Sequence, residues 1–109
     1  MPDVIKVLGQ LNPSATTTTT LYTVPDLNQT TVSSINVANR TSGALTFRLS
    51  VHVGGAGADD KQFIYYDKSV SATDTFSAVL GLTLNQSDVV KVYASGTGLS
   101  FNMFGVETS

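Results

Sequence analysis

Ala44-Leu45-Thr46-Phe47-Arg48-Leu49-Ser50-Val51-His52-Val53 decides the fold class. Leu45, Phe47, Leu49, Val51 and Val53 alternate with Ala44, Thr46, Arg48, Ser50 and His52. Side chains of an extended strand point to opposite faces in turn, so this pattern predicts one buried face and one wet face. Clusters of Asn, Gly, Ser and Asp bound the stretch on both sides. Asn39-Arg40-Thr41-Ser42-Gly43 reads as a hairpin-like turn before it, and residues 54–60 as a flexible loop of small residues after it.

The same signal recurs outward from this point. Val4 to Gln10 places Val4, Lys6 and Leu8 opposite Ile5 and Val7. Leu21 to Val24 is a second strand stopped by Pro25, and Thr30 to Asn39 a third, with Ile35 and Val37 inward. Gln62 to Lys68 carries apolar side chains on both faces, so both faces of it are expected to be covered. Val89 to Ala94 sets Val90 and Val92 against Val89, Lys91 and Tyr93. Leu99 to Glu107 sets Leu99, Phe101 and Met103 against Phe104 and Val106. Residues 71–84 admit two readings. Ser71 and Asp74 resemble a helix capping box. Phe76, Ala78, Leu80, Leu82 and Leu84 keep strict period two, however, and Thr75, Gly81 and Thr83 weaken a helix, so a strand is favoured. About eight short strands with turn residues between them predict an all-β fold, an antiparallel β-sandwich of the jelly-roll or Ig-like kind. Residues 1–109 form a single domain in this reading, with residues 1–20 as an extended N-terminal strand or arm.

Composition narrows the function. The chain has 109 residues, of which 13% are charged, with six Lys and Arg against eight Asp and Glu. Six scattered cations make neither a phosphate-binding stripe nor a polybasic membrane patch. No Cys is present, which removes disulfides and thiolate chemistry. No stretch approaches 18 apolar residues, the length of a membrane-crossing helix. Met1-Pro2-Asp3 is not the basic start of a secretory signal, and no long apolar segment follows it. Ser and Thr, about a quarter of the chain, supply the polar surface.

Catalytic constellations are thin. His52 is the single His, expected on the surface of its strand, and no Gly-x-Ser-x-Gly elbow accompanies it. Asp59 and Asp60 could hold Ca²⁺ but read better as a solvated turn. Gly54-Gly55-Ala56-Gly57 lacks the Gly-Lys-Ser/Thr ending of a phosphate loop and reads as a hairpin tip. No cofactor is implied. Asn28, Asn39 and Asn85 open Asn-x-Ser/Thr sequons in expected turns, which is weak evidence for glycosylation.

The candidate assembly residues are Ile5 and Val7 on the first strand, the run Thr16, Thr17, Thr18, Thr19 and Thr20, and Phe63, Tyr65 and Tyr66. The β-branched threonines predict extended backbone. The run is open to two readings: an arm adding to a neighbouring subunit's sheet, or a solvated loop leading into a strand. The aromatics Phe63, Tyr65, Tyr66, Tyr93, Phe101 and Phe104 divide between core packing and a subunit contact.

The order of segments resembles small bacteriophage virion proteins, especially those of phages of cyanobacteria. The likeness runs through Lys6-Val7-Leu8-Gly9-Gln10, Leu21-Tyr22-Thr23-Val24-Pro25, Val37-Ala38-Asn39-Arg40 and Phe47-Arg48-Leu49. It continues through Ile64-Tyr65-Tyr66-Asp67, Asp74-Thr75-Phe76, the segment Asp88 to Ala94 and the segment Leu99 to Gly105. Asp26-Leu27-Asn28 departs from the small-residue turn expected after Val-Pro. The resemblance implies a non-enzymatic β-sandwich of the particle, a capsid decoration or cement protein, or else a tail, baseplate or fibre component. Its implied partners are copies of itself, as dimers or trimers, and virion proteins such as the major capsid protein, with neither nucleic acid nor membrane. A carbohydrate- or receptor-binding module, using aromatics beside Asp59, Asp60 and Tyr66, is the alternative.

Overall fold

In the computed structural model, which describes residues 3–109, eight strands follow one another. They are β1 (Asp3–Leu11), β2 (Thr19–Thr23), β3 (Gln29–Asn39), β4 (Leu45–His52), β5 (Phe63–Val70), β6 (Thr75–Leu84), β7 (Val89–Ala94) and β8 (Leu99–Thr108). The segment at 71–84 is thus a strand, and its even-numbered residues from Phe76 to Leu84 turn inward as the period-two pattern requires. Two antiparallel four-stranded sheets form, with orders β1-β8-β3-β6 and β2-β7-β4-β5. This is the eight-stranded jelly-roll arrangement, two sheets with their inner faces packed together. Only β4 and β5 are joined as a hairpin within one sheet. Asn39 to Gly43, expected as a hairpin turn, instead carries the chain from the first sheet to the second, and every connection outside the β4–β5 hairpin likewise crosses between the sheets.

The core is the set of inward residues that the alternation picks out. Ile35, Val37, Phe47, Leu49, Val90, Leu99, Phe101 and Met103 are fully enclosed. Phe47 stands at its centre, with ring centroids 5.7 Å from Tyr65, 5.6 Å from Phe76 and 5.8 Å from Phe101. These tilted and edge-on contacts join both sheets.

Irregularities in register bend the sheets. In the first sheet, β1 shifts between Val7 and Gly9, and β3 shifts between Val32 and Ser34 against both of its neighbours. In the second, β5 shifts twice against β4, between its partners Lys68 and Tyr65 and again between Tyr65 and Phe63. An extra residue re-aims the side chains beyond it. Tyr65 therefore points into the core while Phe63 and Tyr66 lie outside, which explains a strand that is apolar on both faces. Gly9 lets the edge strands of the two sheets approach: a Cβ there would lie 2.5 Å from the Leu21 carbonyl oxygen.

Asn39 secures the crossing after β3. It is buried, its amide nitrogen donates to the carbonyls of Gly43 at 2.9 Å and Val70 at 3.0 Å, and its amide oxygen accepts from Thr41. The Asn side chain of that sequon is therefore tied into the fold, although Arg40 beside it is exposed.

The unusual turn after Pro25 has a backbone cost. Leu27 is 85% exposed and has φ of 63°, the left-handed region that disfavours a side chain with a Cβ. Leu27→Gly is expected to raise stability by about 0.5–1 kcal/mol, the relieved strain outweighing the added freedom of the unfolded chain. Thermal melting should show a higher Tm; an unchanged or lower Tm would count against strain at this residue.

Candidate interaction surfaces

The residues singled out for assembly fall on separate parts of the sandwich. β1 and β2 are edge strands on one side, and β5 and β6 are the edges on the other. Ile5 and Val7 point outward from the first sheet. The threonine run is not extended throughout. Thr16 has φ of 55° and its N–H donates to the Ala94 carbonyl at 2.8 Å, closing a turn. Thr19 and Thr20 pair with Val92 and Lys91 on β7. The hydroxyls of Thr16 and Thr17 donate to the Ala15 carbonyl. The run thus leads into an edge strand of the same sandwich, the loop-into-strand reading. Tyr65 is turned inward, whereas Phe63 and Tyr66 remain outside.

On the outer face of the second sheet, Arg48 gathers the outward-facing aromatics. Its guanidinium lies 4.2 Å from the Tyr66 ring centre and 4.4 Å from that of Tyr93, a two-sided cation–π contact. Its Nε donates to Asp67 Oδ1 at 2.7 Å, a bond that raises the guanidinium pKa. Asp67 reaches it because β5 bulges there and Asp67 adopts φ of 52°. Phe63 meets Tyr66 edge-on at 4.9 Å.

His52, expected on the surface, is buried, as is Ser50. The residues after β4 fold back over them, with single 3₁₀ turns at Val53–Gly55 and Asp60–Gln62. Val53, assigned to the inward face by the alternation, is 74% exposed on the first of these turns. Asp59 caps the second turn, accepting from the Lys61 N–H. Gln62 donates to the Gly57 carbonyl at 2.8 Å. His52 Nδ1 lies 2.9 Å from the Ala56 carbonyl oxygen, which can only accept, so that nitrogen carries a proton. Ser50 Oγ lies 2.9 Å from Nε2. A hydroxyl beside an imidazole is the start of a nucleophilic site. Here a main-chain carbonyl stands where a carboxylate would orient the ring, and the adjoining cavity, about 50 Å³, has room for a few waters. What the pair does is pin the loop across the sheet. Among the described residues, no three His, Cys, Asp or Glu side chains cluster as a metal site needs.

Between the two sheets, in the row of Val90 and Val51 next to that of His52, Tyr22 on β2 reaches across the sandwich to Glu107 on β8. The phenol donates to Glu107 Oε2, and its oxygen lies 2.8 Å from Thr30 Oγ1. Because the one phenolic proton goes to Glu107, Thr30 is left to donate. Lys6 Nζ approaches Glu107 Oε1 at 3.3 Å. Burial, with the Glu107 bond adding to it, pushes the Tyr22 pKa up to about 12 from 10.0. The folded state therefore holds this proton more tightly than the unfolded chain. The resulting stabilisation is complete below pH 10 and is lost as pH rises towards 12. Tyr22→Phe is expected to flatten that alkaline decline, and at neutral pH to cost about 1.5–3 kcal/mol, since Glu107 loses a donor. Urea unfolding of both proteins from pH 7 to 12 checks both effects; parallel curves over the alkaline window would refute the first.

The outer face of the first sheet forms a unit that local sequence patterns do not reveal. Val7, Phe104, Ser34 and Val79 lie in one row across all four strands. Ile5, Val106, Thr31 and Thr83 form the next row. Beyond the first row, Gln10 Nε2 donates to Asn102 Oδ1 at 2.8 Å beside Asn36 and Ser77. None of these side chains is charged. Asp3 and Arg40 mark the two ends, bonded to Thr108 and Ser100.

A jelly-roll sandwich with one charge-free sheet face and one clasped by Arg48 is the class of molecule these features define. No family model matches the chain, and no curated protein matches it in sequence. Among solved structures it is similar to a chain in the structure of the infectious bursal disease virus Gx strain, with a TM-score of 0.56 and 12% identity. The match covers 97% of this chain and 30% of that one, so the present sandwich spans under a third of its neighbour. At this identity the likeness is one of fold.

Proposed function

We propose that this protein is a non-enzymatic structural component of a virus particle, and specifically a decoration or cement protein on a phage capsid. The observation that carries the reading is the fold: an eight-stranded jelly roll, an architecture common in viral capsids, whose whole length superposes on part of a chain from a virus structure. Both the phage setting and the capsid position draw on the resemblance of the sequence segments. On this reading the protein acts by covering surface between coat subunits, with copies of itself and the major capsid protein as partners. A tail, baseplate or fibre position is the competing assignment within the same class.

Mixing the purified protein with particles stripped of it, followed by co-sedimentation and a particle map, tests the proposal. Density for this sandwich on the capsid shell is the expected result. Density confined to the tail would overturn the capsid assignment, and no binding to any particle component would overturn the structural role.

A further inference from the structure

Ile5 and Val79 are 86% and 91% exposed, although both are large apolar side chains on regular strands. They sit on opposite edge strands, β1 and β6, of the first sheet. Val7, Phe104 and Val106 lie on the same outer face, the first exposed and the other two half-buried. Water is therefore left in contact with apolar side chains on three of the four strands, with the uncharged Thr31 and Ser34 of β3 between them, a feature that marks an interaction surface more often than an ordinary exterior.

We propose that this face binds a second copy of the same chain, the two first sheets packing against each other about a two-fold axis. Under such symmetry one patch meets itself, so a charge near the axis would face its own image. Between Asp3 and Arg40 the face offers no charge to be repelled. A different partner is commonly selected by complementary charge, and this face provides nothing to select with. The outer face of the second sheet differs, carrying Arg48, Asp67 and Lys91.

The size is adequate. Four strands about 4.8 Å apart and about eight residues long, at roughly 3.4 Å per residue, give a flat area near 500 Å². Two copies would then remove roughly 1,000 Å² before side-chain relief is counted, about the area that a specific interface has to clear. The inference names the partner of one surface and stands whether or not the protein sits on a particle.

Sedimentation equilibrium of the full chain and of Val79→Asp tests it. The unaltered protein is expected to be a dimer, and Val79→Asp to weaken association at least 10-fold while keeping the same circular dichroism and Tm. Ile64→Asp, at an exposed apolar site on the second sheet, is expected to remain dimeric. A monomeric parent protein overturns the proposal. So does a Val79→Asp dimer, which would point to pairing along the free β1 edge, or equal loss with Ile64→Asp. Particle binding by a monomeric parent would leave the particle role intact, while a dimer that binds no particle would leave this inference intact.

Discussion

Phe47→Ala is expected to lower the unfolding free energy by about 4 kcal/mol, within the range of about 3–5 for a buried phenylalanine. Phe47 is fully buried and is the one ring in contact with Tyr65, Phe76 and Phe101 together. Tyr65 belongs to its own sheet, while Phe76 and Phe101 belong to the other, so removing the ring leaves a void between the layers. The neighbours hang from paired strands and can collapse into it only in part. A loss of this size is a large share of the roughly 5–15 kcal/mol typical of a domain. Urea unfolding should show a lower midpoint at unchanged slope. A loss below about 1 kcal/mol would mean that the two layers do not depend on this ring.

A substitution that adds one carbon should be almost as harmful. Gly105 sits on β8 opposite Val32 of β3, and a Cβ there would overlap the Thr31 carbonyl oxygen and come 2.9 Å from Leu8 Cδ1. The first obstacle is main chain in a central strand and cannot rotate away. Gly105→Ala is therefore expected to cost about 3 kcal/mol, the upper end for overpacking. Gly81 on β6 serves as the control, because a Cβ there meets nothing within 4 Å. Gly81→Ala should be neutral or stabilising by up to about 1 kcal/mol. Equal losses at the two glycines would show that backbone freedom, and not the close approach, sets the cost.

The sandwich was legible because period two holds wherever one face is buried. Val90 and Val92, or Leu99, Phe101 and Met103, announce their inward face without outside help. Even Glu107 could have been placed, since continuing the β8 alternation past Gly105 turns the chain's single Glu inward towards Tyr22. Pairings between distant segments were not legible. His52 looked like a surface residue because no local pattern reveals that residues 56–62 fold back over it. The register shifts in β5 broke the simple face assignment of Phe63, Tyr65 and Tyr66. At Asn39 the turn composition was right but the destination was not, because a chain crossing between layers uses the same residue types as one reversing within a layer. The uncharged outer face needed knowledge of which four strands are neighbours. Val79, four residues from Thr83 in sequence, joins Val7 only through β3 and β8.

The pairing of β1 with β8 bears on how the molecule reaches its native state. Thr108 bonds Asp3 across a separation of 105 residues. Strand β1 has no other partner in its sheet, and β8 also supplies the ladder for β3. The first sheet therefore cannot be completed by growth from a local hairpin; its middle must wait for two remote segments to meet. Closing so long a loop carries an entropic cost before the pairing returns any free energy. Folding is accordingly expected on the slow timescale of long-range β topologies, about milliseconds to seconds. Until then the band containing Ile5 and Val106 does not exist as a surface, and any self-association through it must follow the folding of each chain.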